Sequence, residues 1–498
     1  MADYALALDV GTSSVRASLF NAEGRCLEGS AHQAANRLIH QPGGGAEADP
    51  EELWRGVVGC LDGVLAAWRR LPRVGDRIVT VGIACFWHSL IGLDSSGRPT
   101  TPVLTWADQR ATTSARTLAH ALDGNAVWRR TGCRIHCSYV PAKLLWIRQH
   151  RDDWWCGSRY WVSFAELLTL RLNGELVASL SSASASGLFD QGRCRWDGEI
   201  AAAVGVQEDH LPPVTDLATL PLRLIPEWAQ RWPELQGARW LLPAGDGACN
   251  NLGAGAVGPG DLALMIGTSG AVRFLHRERE IPLPEGLWRY RLDQARGVVG
   301  GALSNGGNLH RWILETLRVA PRELEDRLIR GTPGVHGLCF LPLLAGERSM
   351  GWSDGAYGAV LGLRETTTAY DLGQAALEAV AIQFAGIVEA LEPLLRSPVR
   401  IVGTGGAIVH SPGWTRILAD AIGQPLVRSA EPEATSRGAA LLALEAEGVI
   451  PDVSSVPAEM LDQTLPDDHR HRLYERAKRQ TRALYDLLQM GGEGRFTP

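Results

Sequence analysis

The run Ala7-Leu8-Asp9-Val10-Gly11-Thr12-Ser13 returns past the middle of the chain as Ala263-Leu264-Met265-Ile266-Gly267-Thr268-Ser269. Each copy is an apolar string that ends in a Gly-Thr-Ser turn. Each is followed by residues with the alternation of a strand, Val15 to Phe20 in the first case and Ala271 to Leu275 in the second. Two extended runs joined by a turn of small residues make a β-hairpin, and the same hairpin written twice implies a chain of two related halves. Short matches also arise by chance between unrelated strands, so the echo has to be weighed with its surroundings.

Those surroundings are alternating strand-like and helical stretches, the pattern of sheets covered by helices and hence of an α/β fold. A chain of 498 residues, 45% of them hydrophobic, exceeds one ordinary core and fills two. Residues 1–248 and 249–498 are the expected domains. The stretch from Pro50 to Trp68 reads as a helix. Asp49 is its N-cap, Pro50 suits the first helical position, Glu52 can close a capping box, and Leu53, Val57, Leu61, Val64 and Trp68 share one face. Arg77 to Phe86 reads as a buried strand. Arg400 to Val402 reads as another, entering the loop Gly403-Thr404-Gly405-Gly406, and such loops after strands are where α/β sheets bind ligands. The Pro- and Trp-rich stretch from Leu211 to Pro243 reads as a connection between halves. Asp468 to Met490 reads as an amphipathic helix packed on the second domain, with a glycine-rich tail expected to fray.

A formal net charge of -6 offers no attraction to nucleic acid or an anionic membrane, which leaves a small-molecule partner. The start MADYALALDV has no basic segment leading into a long apolar run, and later apolar runs are interrupted by charges or glycines, so a cytoplasmic protein is expected. The nine cysteines are odd in number and lack CxxC spacing, which reads as reduced thiols. Cys133, His136 and Cys137 lie close in sequence, but no second pair at ligand spacing supports a metal there. Neither Lys143 nor Lys478 follows a glycine-rich loop, so the GxxxxGK[ST] phosphate loop is absent and a nucleotide must be held in another way.

Asp9 ends a strand immediately before a turn rich in small residues. The N–H groups and hydroxyls of such a turn can surround phosphate oxygens while the carboxylate attracts the accompanying Mg²⁺; read alone, the same residues also make an ordinary hairpin with a solvated aspartate. Met265 replaces Asp9 in the second copy, so a further carboxylate must come from elsewhere. Asp246, in Gly245-Asp246-Gly247-Ala248 after the apolar run Trp240-Leu241-Leu242, is the candidate general base. The bland alternative is a Gly-Asp-Gly turn.

In their order and spacing these segments resemble the FGGY carbohydrate kinases of the actin, sugar kinase and heat-shock ATPase superfamily. The resemblance spans nearly the whole chain and adds Gly306-Gly307-Asn308, Phe340 to Arg348, Ala376 to Ala381, and Gly403 to Ala407 with Ser411, Trp414 and Asp420. It implies two actin-like (ribonuclease H-like) domains with mixed sheets flanked by helices, a cleft that closes between them, and ATP and Mg²⁺ as cofactors. By the resemblance Thr12, Ser13, Thr268 and Gly270 face the phosphates, with Gly11, Arg16, Gly267, Ser269 and Gly307 around them. Gly405, Gly406 and Ser411 belong to the adenosine segment. Asp9 and Asp246 serve the metal, and Asp246 accepts the substrate proton. Glu347 and Arg348 are given no catalytic role, because Ser349-Met350 stands where the family has a proline soon after the arginine.

The resemblance places the substrate against Trp87, His88, Trp106, Asp108, Arg110, Arg134 and His136, beside Asp246. An indole suits an apolar sugar face, and His, Asp and Arg suit hydroxyls or a carboxylate. His88-Ser89-Leu90-Ile91, Thr105-Trp106-Ala107-Asp108 and Arg134-Ile135-His136 look most like gluconate kinases, with Arg110, Arg134 or His136 as carboxylate partners; Cys137 departs from the proline expected after His136. A xylulose or related ketose or polyol kinase is the runner-up. A chaperone-like ATPase should lack the His88 and Trp106 segments, and a silent sugar sensor should lack Asp9 and Asp246. A homodimer is the default for a soluble enzyme.

Overall fold

The computed structural model of the chain describes residues 2–70, 75–278, 281–353, 356–396 and 398–490. The first Gly-Thr-Ser hairpin pairs β1 (Asp3–Val10) with β2 (Ser14–Phe20) antiparallel, with Asp9 opposite Arg16. Strand β3 (His32–Ala35) extends the sheet beyond β2. On the other side β4 (Arg77–Cys85) runs parallel to β1 and is itself followed by two short parallel strands, β5 (Arg239–Trp240) and β6 (Ala244–Gly245). The expected helix forms as α1 (Pro50–Arg70), with Asp49 Oδ1 accepting the Glu51 N–H at 2.8 Å in place of a box closed by Glu52. Its buried face presents Leu53, Val57, Leu61 and Val64 to the sheet.

The second hairpin repeats this plan. Strands β7 (Asp261–Ile266) and β8 (Gly270–His276) pair antiparallel. Next to β8 lie β9 (Trp288–Arg291) and β10 (Gly297–Leu303), and next to β7 lie β11 (Arg400–Thr404), β12 (Leu426–Ser429) and β13 (Met460–Thr464). The sheet order is β9-β10-β8-β7-β11-β12-β13. The central hairpin, the antiparallel strand on one side and the parallel pair on the other match the first sheet in order and direction. The sequence echo is therefore an echo of topology. Both sheets are mixed and flanked by helices.

The stretch from Leu211 to Pro243 is not a connector. Trp232 and Trp240 are buried within the first core, and β5 and β6 complete the first sheet, because large indoles and a short apolar strand gain more by burial than a tether would. Among the helices at the junction of the halves and in the second one are α2 (Asp246–Gly253), α4 (Ala369–Leu391) and α6 (Ala434–Ala446), with α3 (Gly307–Thr316) and α5 (Pro412–Ile422) between them in the chain. Helix α6 comes from the second half but packs on β1 and β4 of the first sheet and crosses α2. The crossing is close: a Cβ on Gly438 or Gly253 would strike the backbone carbonyl of Cys249 or Ala434. Helix α4 is long and apolar enough to cross a membrane, yet it is mostly buried in the second core. The last helix, α7 (Asp468–Met490), packs against α5, as its pattern predicts, and buries Tyr474. The tail expected to fray lies outside the described residues.

Candidate functional site

Both Gly-Thr-Ser turns open on one cleft of about 1860 Å³, lined from the first half by Asp9, Gly11, Thr12, Ser13 and Arg16, and from the second by Gly267 to Gly270, Gly405 and Gly406. Each turn is held by its own backbone. Gly11 N–H donates to Ser14 O at 2.9 Å, and Asn36 Nδ2 donates to Gly11 O at 2.8 Å. In the second turn Gly267 N–H donates to Ser269 O at 3.0 Å, and the start of α3 braces it through Gly307 N–H to Gly267 O at 2.9 Å and Asn308 N–H to Thr268 O at 3.0 Å. Gly307, expected to contact the cofactor, thus spends its N–H on the turn, and a Cβ there would strike the Gly267 carbonyl. Gly405 turns with φ +92° against the Ile266 carbonyl, where a Cβ would collide.

A second cavity shares Gly267, Thr268 and Gly406 with the cleft and continues past Gly307, His310 and Pro321 to Ser411 and Trp414. Ser411 lines it as the N-cap of α5. Its Oγ accepts the Trp414 N–H at 3.1 Å and donates to Glu325 Oε2 at 2.6 Å, so the hydroxyl is committed to the helix and its neighbour. The two cavities meet at the second turn, whose Gly267 and Thr268 border both.

Two buried carboxylates stand in the cleft. Asp9 ends β1. Loss of water pushes its pKa up to about 7 against the pull of Arg16, and the negative charges of Asp246 and Glu433 add to the rise. Arg16 Nη1 lies 3.8 Å from Asp9 Oδ2 and 3.2 Å from Glu433 Oε2, so this cation is shared between two acids. Asp246 begins α2, and its Oδ1 accepts the Gly247 N–H at 2.7 Å. Burial raises its pKa, opposed by Arg273 and by that N–H. Two desolvated carboxylates with less positive charge than they could use suit a hard divalent cation with oxygen ligands, so the donor set fits Mg²⁺.

The acceptor side of the cleft is aromatic. His88 sits at φ +64°, with its carbonyl held by Lys143 Nζ at 2.6 Å; the same ammonium, wholly buried, donates to Ser138 O at 2.9 Å. The His88 ring places Nδ1 2.7 Å from Ala185 O, which leaves Nε2 as an acceptor, and burial holds its pKa near 3, so the ring is neutral. Trp87 Nε1 donates to Ser181 O at 3.1 Å, and Trp106 Nε1 donates to Thr12 Oγ1 at 3.2 Å, tying the acceptor wall to the first turn. Tyr139 and Tyr290 share a hydroxyl contact at 2.7 Å, and Trp288 stacks on Tyr290 at 4.2 Å.

Four expected acceptor ligands do not line this cleft. Asp108 accepts the Ala46 N–H at 3.1 Å and an Arg110 guanidinium bond at 2.5 Å. Arg110 also pairs with Glu47 at 2.6 Å and lies 4.5 Å from the Trp146 ring centre. The Arg110 charge is thereby met by two carboxylates within the protein. Arg134 stacks over Trp128 at 4.1 Å, and His136 lies behind Trp352, their ring centres 5.3 Å apart. Besides Arg16, the residues that carry positive charge to the cleft are Arg273 and Arg348, joined by Asn250, Trp288, Tyr290 and Trp352, none of these six selected as site residues from the sequence. The one available signal for Arg273 was a cation inside the apolar strand Ala271-Val272-Arg273-Phe274-Leu275.

Paired small-residue turns, buried carboxylates and an aromatic, hydrogen-bonding wall can hold a polyphosphate, a divalent cation and a polyol together. Residues 4–236 match the N-terminal domain of the FGGY family of carbohydrate kinases, and residues 262–447 match its C-terminal domain. A gluconokinase from Bacillus subtilis (strain 168) is 28% identical, with 98% of this chain and 95% of the relative covered. A xylulose kinase from the same strain is 23% identical, with 89% and 88% covered. The crystal structure of a gluconate kinase from Lactobacillus acidophilus superposes with a TM-score of 0.88 at 24% identity, covering 98% of both chains, and shows the fold.

Proposed function

The chain belongs to the FGGY family of carbohydrate kinases and is a phosphotransferase acting on an alcohol group, and on that premise we propose that it transfers the γ-phosphoryl group of ATP to gluconate, giving 6-phosphogluconate. The observation that carries the phosphotransfer reading is the convergence of both Gly-Thr-Ser turns and Asp246 on one cleft. Gluconate as acceptor rests on the similarity to gluconokinase along the full length and on the segments around His88 and Trp106.

In this reading residues 1–248 carry most of the acceptor site and the first phosphate turn, and residues 249–498 hold the nucleotide and lend Trp288 and Tyr290 to the acceptor side. The hydroxyls and N–H groups of Thr12, Ser13, Thr268 and Ser269 surround the phosphates, and the adenosine lies along Gly405, Gly406 and the cavity that ends at Ser411. Asp9, with Asp246 beside it, would hold Mg²⁺, whose chemistry is to offset charge on the phosphate oxygens. Trp87 and Trp106 cover the apolar face of the acceptor, and His88 Nε2 accepts a hydroxyl proton in a hydrogen bond. Asp246 takes the proton of the attacking hydroxyl as its oxygen bonds to the γ-phosphorus and the bond to the β–γ bridging oxygen breaks, releasing ADP. Closure of the cleft keeps water from competing as acceptor.

The test is turnover of purified protein with ATP and Mg²⁺ against gluconate, glucitol, xylulose and glycerol. Gluconate should have the highest kcat/KM. A neutral ketose turned over far better than gluconate refutes the acceptor and favours the xylulose kinase reading.

A further inference from the structure

Arg273 and Arg348 are cations in the cleft that the phosphotransfer chemistry above does not use. Arg273 lies on β8 and is 7% exposed, and its Nε and Nη1 are buried without a hydrogen-bond partner among the described residues. Its guanidinium rests against Gly247, one residue from Asp246. Arg348 reaches in from the loop after Leu343. Its Nη2 donates to Leu303 O at 2.6 Å, its guanidinium lies 4.9 Å from the centre of the Trp106 ring, and its Nε is buried with no hydrogen-bond partner among the described residues. Burial lowers the pKa of both: that of Arg348 to about 10, with Tyr290 and Tyr139 working against the fall and Arg273 adding to it, and that of Arg273 against the opposing pull of Asp246 and Tyr290. Desolvated guanidinium groups with idle N–H donors are costly unless an anion completes them.

We infer that Arg273 and Arg348 form the clamp for the carboxylate of a sugar-acid acceptor and thereby set the preference for an acid over a neutral polyol. The inference rests on the gluconate reading and deepens it. The same anionic chemistry could come from the γ-phosphoryl group, but position favours the acceptor. The Arg273 backbone is three residues past Gly270 on an extended strand, roughly 10 Å along the strand from the phosphate-facing turn at about 3.3 Å per residue. Arg348 sits over Trp106, on the acceptor wall. An arginine fork matches the two oxygens of a carboxylate, which a neutral CH₂OH cannot replace.

The experiment compares kcat and KM for gluconate and for glucitol, its neutral counterpart, in wild type, Arg273→Met, Arg273→Lys and Arg348→Met, with KM for ATP and the thermal midpoint measured alongside. Removing one member of a desolvated charge pair should lower kcat/KM for gluconate by about 30-fold or more, mainly through KM, and glucitol by less than about 3-fold. Arg273→Lys, which keeps the charge and loses the fork, should give an intermediate loss of selectivity. Equal losses on both acceptors with a raised KM for ATP assign the arginines to the phosphoryl group, and equal losses with a lowered midpoint alone assign them to the fold; either result overturns the clamp. A wild type that prefers xylulose to gluconate removes the acceptor reading itself, whereas a gluconate-preferring wild type with unchanged selectivity in all variants removes only the clamp.

Discussion

Replacing Asp246 by Asn removes the proton acceptor, and with it one of the two carboxylates that would hold Mg²⁺, while the packing around it survives the change. The side chain keeps its volume and its Oδ1, so the 2.7 Å bond from the Gly247 N–H can persist and the start of α2 is undisturbed. What disappears is the basic carboxylate. A positioned general base contributes about 10²- to 10⁴-fold in rate, equivalent to about 2.7–5.5 kcal/mol of activation free energy at about 1.36 kcal/mol per decade. Loss of the charge also leaves Arg273 without the carboxylate that relieves it, so a small drop in thermal midpoint should accompany the kinetic effect. The assay couples ADP release to an indicator reaction at saturating gluconate, with ATP affinity measured separately by calorimetry. The expected result is kcat down by at least about 100-fold with ATP affinity within about threefold of wild type. A kcat within about threefold of wild type refutes the base, and a loss confined to ATP affinity moves Asp246 from proton transfer to nucleotide binding.

Two further outcomes follow from buried groups in and behind the acceptor wall. His88 and His136 are both held neutral by burial, with pKa values near 3, below the unfolded value near 6.5. The unfolded chain therefore binds more protons on acidification, stability falls as pH drops through 6.5, and each ring contributes about 2 kcal/mol to the loss between pH 7 and 5. His136→Asn should flatten the pH dependence of the thermal midpoint, and an unchanged slope contradicts the neutral assignment. Lys143→Met should leave the His88 and Ser138 carbonyls without their donor, at about 1–3 kcal/mol for each. The His88 backbone at φ +64° then loses its tether, so KM for the acceptor should rise several-fold while KM for ATP holds; an unaltered acceptor KM speaks against that role for Lys143.

The halves of this chain, their two hairpins and the carboxylates Asp9 and Asp246 were legible in the residues alone. Strand, turn and helix start are decided by neighbours within a few positions: a Gly-Thr-Ser turn between apolar runs folds back on itself whatever lies beyond it, and Asp49-Pro50 starts a helix locally. Which cations face the cleft was decided by the tertiary structure. Arg110 looks like an acceptor ligand until Glu47 and Asp108 are seen to neutralise it. Arg273 drew no reading and Arg348 was given no catalytic role, yet strand β8 and a loop 75 residues further on bring both into one desolvated space. The same holds for Trp232 and Trp240, read as part of a connector and found in the first core. A side chain's charge is available to a ligand only where no protein partner has already met it, and that partner is placed by contacts across the whole chain, beyond the reach of any local pattern.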